Sequence, residues 1–126
     1  MARLLVVDDD VSILGLYKEL LEESGHQVRA AASVDEGLSA LFAEPPEVLL
    51  MDLRVPELED GLRLLRAIPP RGPGCTGVEV ISGWTADLAE HSERHRVDRV
   101  LNKPVRFEAL LASIREFTGP FPGTRL

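Results

Sequence analysis

Short apolar runs alternate with segments of helical periodicity along the chain, and this alternation limits the fold more than any other feature. The first run, residues 4–7, is followed by apolar residues at helical spacing that end at Ser24 and Gly25, where glycine is expected just past a helix. Further runs cover residues 28–32, 48–51, 78–81 and 97–101. A chain that alternates strand and helix five times forms a parallel sheet covered on both faces. We therefore predict an α/β fold with a doubly wound, five-stranded parallel sheet.

Start and stop signals separate the helices from the strands. Ser33 and Glu36 have the spacing of a capping box, and Pro45 ends the helix that they open. A helix with a weak apolar stripe is predicted from near Thr85. The last predicted helix, which begins near Phe107, has the clearest stripe of all.

Length and composition limit the domain count and the class of partner. The 126 residues, 44% of them hydrophobic, fit one domain, which we place at residues 1–118, followed by a short Pro/Gly-rich tail at 119–126. No apolar run is long enough to cross a membrane, and the single cysteine fits a reducing, cytoplasmic compartment. The net charge of −7 argues against direct binding of nucleic acid, because phosphate binding needs a basic surface.

Polar side chains stand where the predicted strands end. Asp52 ends the run at 48–51, Asp8 and Asp9 follow the first run, Ser82 follows the fourth and Lys103 the fifth. The carboxyl ends of parallel strands share one edge of the sheet, which is where ligands bind in such folds. These side chains are therefore expected to converge on one site, with Asp52 as the leading candidate.

The residue types at this edge indicate phosphoryl chemistry. Carboxylates held close together repel one another unless a cation lies among them, and oxygen ligands of this kind suit Mg²⁺. Asp52 is a possible nucleophile that would form an acyl phosphate. The metal and Lys103 would offset charge on the transferring group, and Ser82 would donate to one of its oxygens.

Four motifs resemble the receiver domain of two-component response regulators, the family that includes chemotaxis regulators. The resemblance spans roughly residues 2–118, and the motifs occur in the family's order. It implies a flavodoxin-like sheet with strand order 2-1-3-4-5. The motifs are Leu4-Leu5-Val6-Val7-Asp8-Asp9-Asp10, Val48-Leu49-Leu50-Met51-Asp52-Leu53-Arg54-Val55-Pro56, Val80-Ile81-Ser82-Gly83 and Leu101-Asn102-Lys103-Pro104.

The resemblance also implies a role for each motif residue. Asp52 would be the phosphoacceptor. Asp8 and Asp9 would hold Mg²⁺ together with Asp52 and the backbone carbonyl of Arg54. Ser82 would be the switch hydroxyl. Lys103 would contact the phosphoryl group and precedes Pro104, a proline that is often cis in the family.

Partners follow from the same resemblance. The phosphoryl group would come from a sensor histidine kinase or a histidine phosphotransfer protein, and the phosphorylated form would act on a downstream effector protein. No direct contact with nucleic acid or with a membrane is expected. The domain would be a regulatory phosphoacceptor whose only reactions are its own Mg²⁺-dependent phosphorylation and dephosphorylation.

Two departures from the family pattern keep other functions open. Asp60-Gly61 comes one residue later than the common spacing, which predicts an insertion in the loop after Pro56. Val100 stands where an aromatic switch residue is common. One alternative, a small haloacid-dehalogenase-like phosphatase with Asp8 as the nucleophile, rests instead on the Asp-x-Asp pattern of Asp8 to Asp10 and would need a later acidic pair. The other is a receiver-like module that binds partners without phosphorylation.

Overall fold

The strands form one parallel sheet. The computed structural model describes residues 2–68, 76–83 and 88–118. The strands, in the order β2-β1-β3-β4-β5, are β1 (Arg3–Val7), β2 (Gln27–Ala31), β3 (Val48–Met51), β4 (Gly77–Ser82) and β5 (Arg99–Asn102). The helices are α1 (Val11–Glu23), α2 (Val34–Ala43), α3 (Leu58–Arg66), α4 (Phe107–Thr118) and a 3-10 helix, Ser92–Arg96. The predicted doubly wound fold with order 2-1-3-4-5 is confirmed.

Helices cover both faces of the sheet, which explains why the central strands are continuous apolar runs. Every residue of β3 is buried, and one core cluster lies between the sheet and helices α2 and α3, while a second lies under α1 and α4. Burying a leucine or valine side chain contributes roughly 1.5–3 kcal/mol relative to leaving it exposed. Burial of apolar side chains in these two layers therefore stabilises the sheet and holds the ends of its strands in place.

The ends of the first two helices follow their sequence signals. The Asp10 carboxylate caps α1 by accepting hydrogen bonds from the backbone N–H groups of Ser12 and Ile13, at 3.0 and 3.2 Å. Ser33 caps α2 by accepting from the Glu36 N–H at 3.1 Å. After α1 the chain turns at Gly25, whose φ of 95° favours glycine.

The predicted α-helix between β4 and β5 is wrong for residues 88–98. This stretch instead forms turns and the 3-10 helix Ser92–Arg96. Its apolar stripe is too weak for an α-helix, and polar contacts with α3 hold it, including an ion pair of 2.8 Å between Arg66 and Glu93. The predicted helix start near Thr85, together with Trp84, Cys75 and the tail at 119–126, lies outside the described residues.

Gly61 packs directly on the loop that follows Asp52. A Cβ atom at this position would lie 1.8 Å from the carbonyl oxygen of Leu53, so no larger residue fits without a backbone shift. The Glu57 N–H donates to the Asp60 carboxylate at 3.3 Å, at the start of α3. The extra residue predicted from the spacing would lie in this turn, between Pro56 and Gly61. The helix nevertheless starts against the backbone that carries Asp52.

Glu79 is a buried acid within β4, with no exposed surface. Its two carboxyl oxygens and the Ser113 hydroxyl of α4 have no hydrogen-bond partner in the described part of the chain. Burial raises the pKa of Glu79, while the nearby Ser113 hydroxyl and the Arg99 guanidinium lower it by less. Folding therefore favours the neutral form of this carboxyl more than the unfolded chain does.

We predict that Glu79→Gln stabilises the protein at pH 8. The folded wild type binds the Glu79 proton more tightly than the unfolded chain. Its free energy of unfolding therefore falls as the pH rises from the ordinary glutamate pKa of 4.5 towards the raised one. The variant should lack this fall and be more stable than the wild type at pH 8. Urea unfolding of both proteins at pH 5 and pH 8 measures the difference in their free energies of unfolding.

The exposed Glu23 provides a matched control, because Glu23→Gln removes a carboxylate that is not buried. That variant should retain the wild-type fall in stability. If Glu79→Gln also retained it, burial of the Glu79 carboxyl would not be its cause.

None of the described helices has the length and apolar character needed to span a membrane.

Candidate functional site

Three carboxylates meet at the carboxyl edge of the sheet, where the sequence predicts a site. Asp8 follows β1 and Asp52 follows β3, and these two strands are paired neighbours. Oxygen atoms of Asp8, Asp9 and Asp52 all lie within 4.8 Å of one another. Asp8 is buried, Asp52 is half-buried and Asp9 is exposed, so the cluster opens to solvent on the Asp9 side.

Lys103 places an ammonium among these carboxylates. Its Nζ lies 2.8 Å from Oδ2 of Asp52 and 3.5 Å from Oδ2 of Asp8. The backbone fixes the approach, because the Lys103 N–H donates to the Ser82 carbonyl oxygen at 3.1 Å. The peptide bond between Lys103 and Pro104 is cis. Lys103 therefore reaches across the end of β4 from β5 to β3 and β1.

Backbone N–H groups hold the carboxylates in place. The Arg54 N–H donates to Oδ1 of Asp52 at 3.2 Å, and the Asp10 N–H donates to Oδ1 of Asp8 at 2.9 Å. The Asp10 side chain is occupied as the cap of α1. Ser82 ends β4, between Asp52 and Lys103, and its side chain is fully buried.

Burial and charge act in opposite directions on Asp8 and Lys103. Burial raises the pKa of Asp8, and the charges of Asp52 and Asp9 add to this, against the Asp10 N–H and the Lys103 ammonium. Burial alone would lower the pKa of Lys103. Its hydrogen bond to Asp52 and the nearby carboxylate charges outweigh burial, so the pKa of Lys103 is raised. The ammonium thus remains charged at neutral pH.

The donor set fits a hard divalent cation. Three carboxylates and one ammonium leave two negative charges in a cluster of oxygen atoms 4.8 Å across. Mg²⁺ prefers oxygen ligands and retains several waters, which the exposed Asp9 side would admit. The residues that could hold the metal are Asp8, Asp9 and Asp52, with the Arg54 carbonyl as predicted from the sequence.

Tyr17 also faces this site, and sequence reasoning missed it. The residue lies on α1, packs against the core under α1 and α4, and lines one cleft with Asp8 and Asp52. Burial raises the pKa of its phenol, the Lys103 ammonium lowers it, and the charges of Asp8 and Asp52 raise it further. In the sequence Tyr17 is one of several inward positions of an amphipathic helix. The phenolic hydroxyl at such an inward position is the only feature of the sequence that could have indicated a place in the site.

Comparison with known proteins identifies the class. The chain matches the response regulator receiver domain over residues 4–115. It is 32% identical over 117 residues to the protein PilH of Pseudomonas aeruginosa, covering 90% of this chain and 95% of PilH. A CheY-like receiver domain of Methanospirillum hungatei superposes with a TM-score of 0.80 at 33% identity, covering 92% of each chain. The chain therefore belongs to the response regulator receiver domain family, whose members are regulatory phosphoacceptor domains of two-component systems.

Other relatives are longer regulators. The DNA-binding transcriptional regulator NtrC of Proteus hauseri is 33% identical over 109 residues, covering 86% of this chain and 23% of NtrC. The transcriptional regulatory protein GlrR of Escherichia coli is 34% identical over 113 residues, covering 90% of this chain and 25% of GlrR. The chain thus spans about a quarter of the length of these relatives.

We predict that Asp9→Ala weakens Mg²⁺ binding at least about tenfold, because the cluster loses its most accessible carboxylate ligand. Calorimetric titration of the unphosphorylated protein with Mg²⁺ measures the affinity. Asp10→Ala is the matched control. It removes the neighbouring carboxylate and the helix cap, at a cost of about 1 kcal/mol in stability, but should retain the wild-type Mg²⁺ affinity. Equal affinity in wild type and Asp9→Ala would place the ion elsewhere.

Proposed function

We propose that the chain accepts a phosphoryl group on Asp52 from a sensor histidine kinase or a histidine phosphotransfer protein and then alters its contacts with a downstream effector. The observation that carries the proposal is the placement of the Lys103 ammonium 2.8 Å from Asp52 beside a cluster of three carboxylates. This arrangement provides a nucleophile, a fixed cation and a metal site within one edge of the sheet.

The proposal assigns each residue a part in the transfer. An oxygen of Asp52 forms the new bond to phosphorus, while the phosphorus–nitrogen bond of a phosphohistidine donor breaks and the imidazole leaves. The Arg54 N–H fixes the rotation of the Asp52 carboxylate. Lys103 can move from the carboxylate to an oxygen of the phosphoryl group, where it offsets developing charge.

Mg²⁺, held by Asp8, Asp9, Asp52 and the Arg54 carbonyl, would neutralise charge on the phosphoryl oxygens. The buried Ser82 hydroxyl, at the end of β4, would donate to the phosphoryl group as the switch residue. Any movement of Ser82 would reach β5 through the hydrogen bond between the Ser82 carbonyl and the Lys103 N–H.

The remaining assignments belong to the same proposal. The receiver domain would comprise residues 1–118, with 119–126 as a tail, and it would act in the cytoplasm without direct contact with nucleic acid or a membrane. Its chemistry would be limited to its own phosphorylation and dephosphorylation. The cis peptide before Pro104 is consistent with the family's common pattern.

A phosphatase that uses Asp8 as nucleophile is less well supported. Asp8 is only 4% exposed, which limits access of a substrate to its carboxylate. The later acids that such an enzyme would need for its metal are on α4, where Glu116 pairs with Arg99 and Glu108 approaches Arg106. Asp52 is better placed, since it is more open and directly paired with Lys103.

We predict that acetyl phosphate with Mg²⁺ adds one phosphoryl group to the protein and that Asp52→Asn abolishes the addition. Intact-mass analysis detects the group, and peptide mapping after borohydride reduction locates it. Asp10→Asn is a suitable control, because it changes an acid of the same edge that is occupied as a helix cap. If the phosphoryl group is still added in Asp52→Asn but not in Asp8→Asn, the phosphatase with Asp8 as nucleophile would be favoured. A wild type that is never modified would favour the phosphorylation-independent module.

A further inference from the structure

Tyr17 occupies a position in the site to which the proposed transfer assigns no role. It lies on α1 and lines one cleft together with Asp8 and Asp52. The cleft walls below the carboxylates are apolar and include Leu50 and Ile81. The Tyr17 ring packs against the apolar core under α1 and α4, and a half-buried tyrosine usually combines such packing with a polar contact of its hydroxyl.

The hydroxyl of Tyr17 has no hydrogen-bond partner in the residues 2–68, 76–83 and 88–118. Half-buried phenols normally find one. The charged groups that act on this hydroxyl are Lys103, Asp8 and Asp52, one from each of three strand ends. The hydroxyl is therefore available to the groups that take part in the transfer.

Lys103 would change partners if Asp52 were phosphorylated. Its ammonium has three N–H donors. In the unphosphorylated protein one donates to Asp52 at 2.8 Å, and Asp8 lies 3.5 Å away. Phosphorylation replaces the Asp52 carboxylate with an acyl phosphate, so the ammonium must shift towards the phosphoryl oxygens. A neighbouring acceptor that stays in place would keep it aligned during this shift.

We propose that Tyr17 is a positioning residue for phosphoryl transfer, whose hydroxyl accepts a hydrogen bond from the Lys103 ammonium as that ammonium moves from Asp52 to the phosphoryl group. This inference rests on the proposed function. It assigns to Tyr17 control over the rates at which the phosphoryl group is gained and lost, exerted through Lys103 and not through contact with phosphorus.

The test is a double-mutant cycle on the rate of phosphorylation by acetyl phosphate in Mg²⁺. Tyr17→Phe retains the ring and removes the hydroxyl, and Lys103→Met removes the ammonium. We expect Tyr17→Phe to slow phosphorylation about ten- to a hundredfold, the effect of one hydrogen bond to a charged group. In the Lys103→Met background the same change should have no further effect, because the hydroxyl acts through the ammonium. Calorimetric titration with beryllofluoride, a phosphoryl mimic, measures the binding affinity of the same four proteins and so repeats the cycle at equilibrium.

Leu21→Val is the structural control, since Leu21 is a fully buried residue of α1 that does not line the cleft. It should lower stability and leave the phosphorylation rate at the wild-type value. Equal rates in wild type and Tyr17→Phe overturn the inference. The inference is also overturned if Tyr17→Phe still slows phosphorylation in the Lys103→Met background, or if Leu21→Val slows it to the same extent. A wild type that gains no phosphoryl group overturns the proposed function first, and this inference with it.

Discussion

The ammonium of Lys103 holds together carboxylates that would otherwise repel one another. It lies 2.8 Å from Asp52 and 3.5 Å from Asp8, while Asp9 completes a cluster whose oxygen atoms lie within 4.8 Å. The single ammonium balances only one of the three carboxylate charges, so this edge of the sheet keeps a net negative charge. This net negative charge would favour binding of a divalent cation. A phosphoryl group on Asp52 would then give the Lys103 ammonium a new partner. Charge balance therefore connects the fold to the proposed chemistry.

The parallel sheet is what allows such a cluster to exist. Strands β1 and β3 pair in register, so Val7 lies beside Met51 and the residues that follow them, Asp8 and Asp52, leave the sheet together. Apolar layers on both faces fix this edge, and Gly61 fixes α3 against the backbone of Leu53. The insertion predicted in the loop after Pro56 would lie beyond Leu53 in the chain.

Much of this arrangement could be predicted because it depends on local patterns. Continuous apolar runs located the strands, and the polar residues at their ends located the candidate site. The 3-10 helix Ser92–Arg96 was not predicted, because polar contacts with α3 take the place of an apolar stripe. The burial of Glu79 depends on α4 packing over β4, and the place of Tyr17 depends on how α1 crosses the sheet. Such contacts join distant segments, and no local pattern encodes them.

A crystal structure of the protein with Mg²⁺ and beryllofluoride would test the central claim most directly. The account predicts beryllium bonded to one oxygen of Asp52, Mg²⁺ among Asp8, Asp9, Asp52 and the Arg54 carbonyl, and the Lys103 ammonium moved from the Asp52 carboxylate to a fluoride. Beryllium bonded to Asp8, or Lys103 still paired with the Asp52 carboxylate while the mimic is bound, would contradict it.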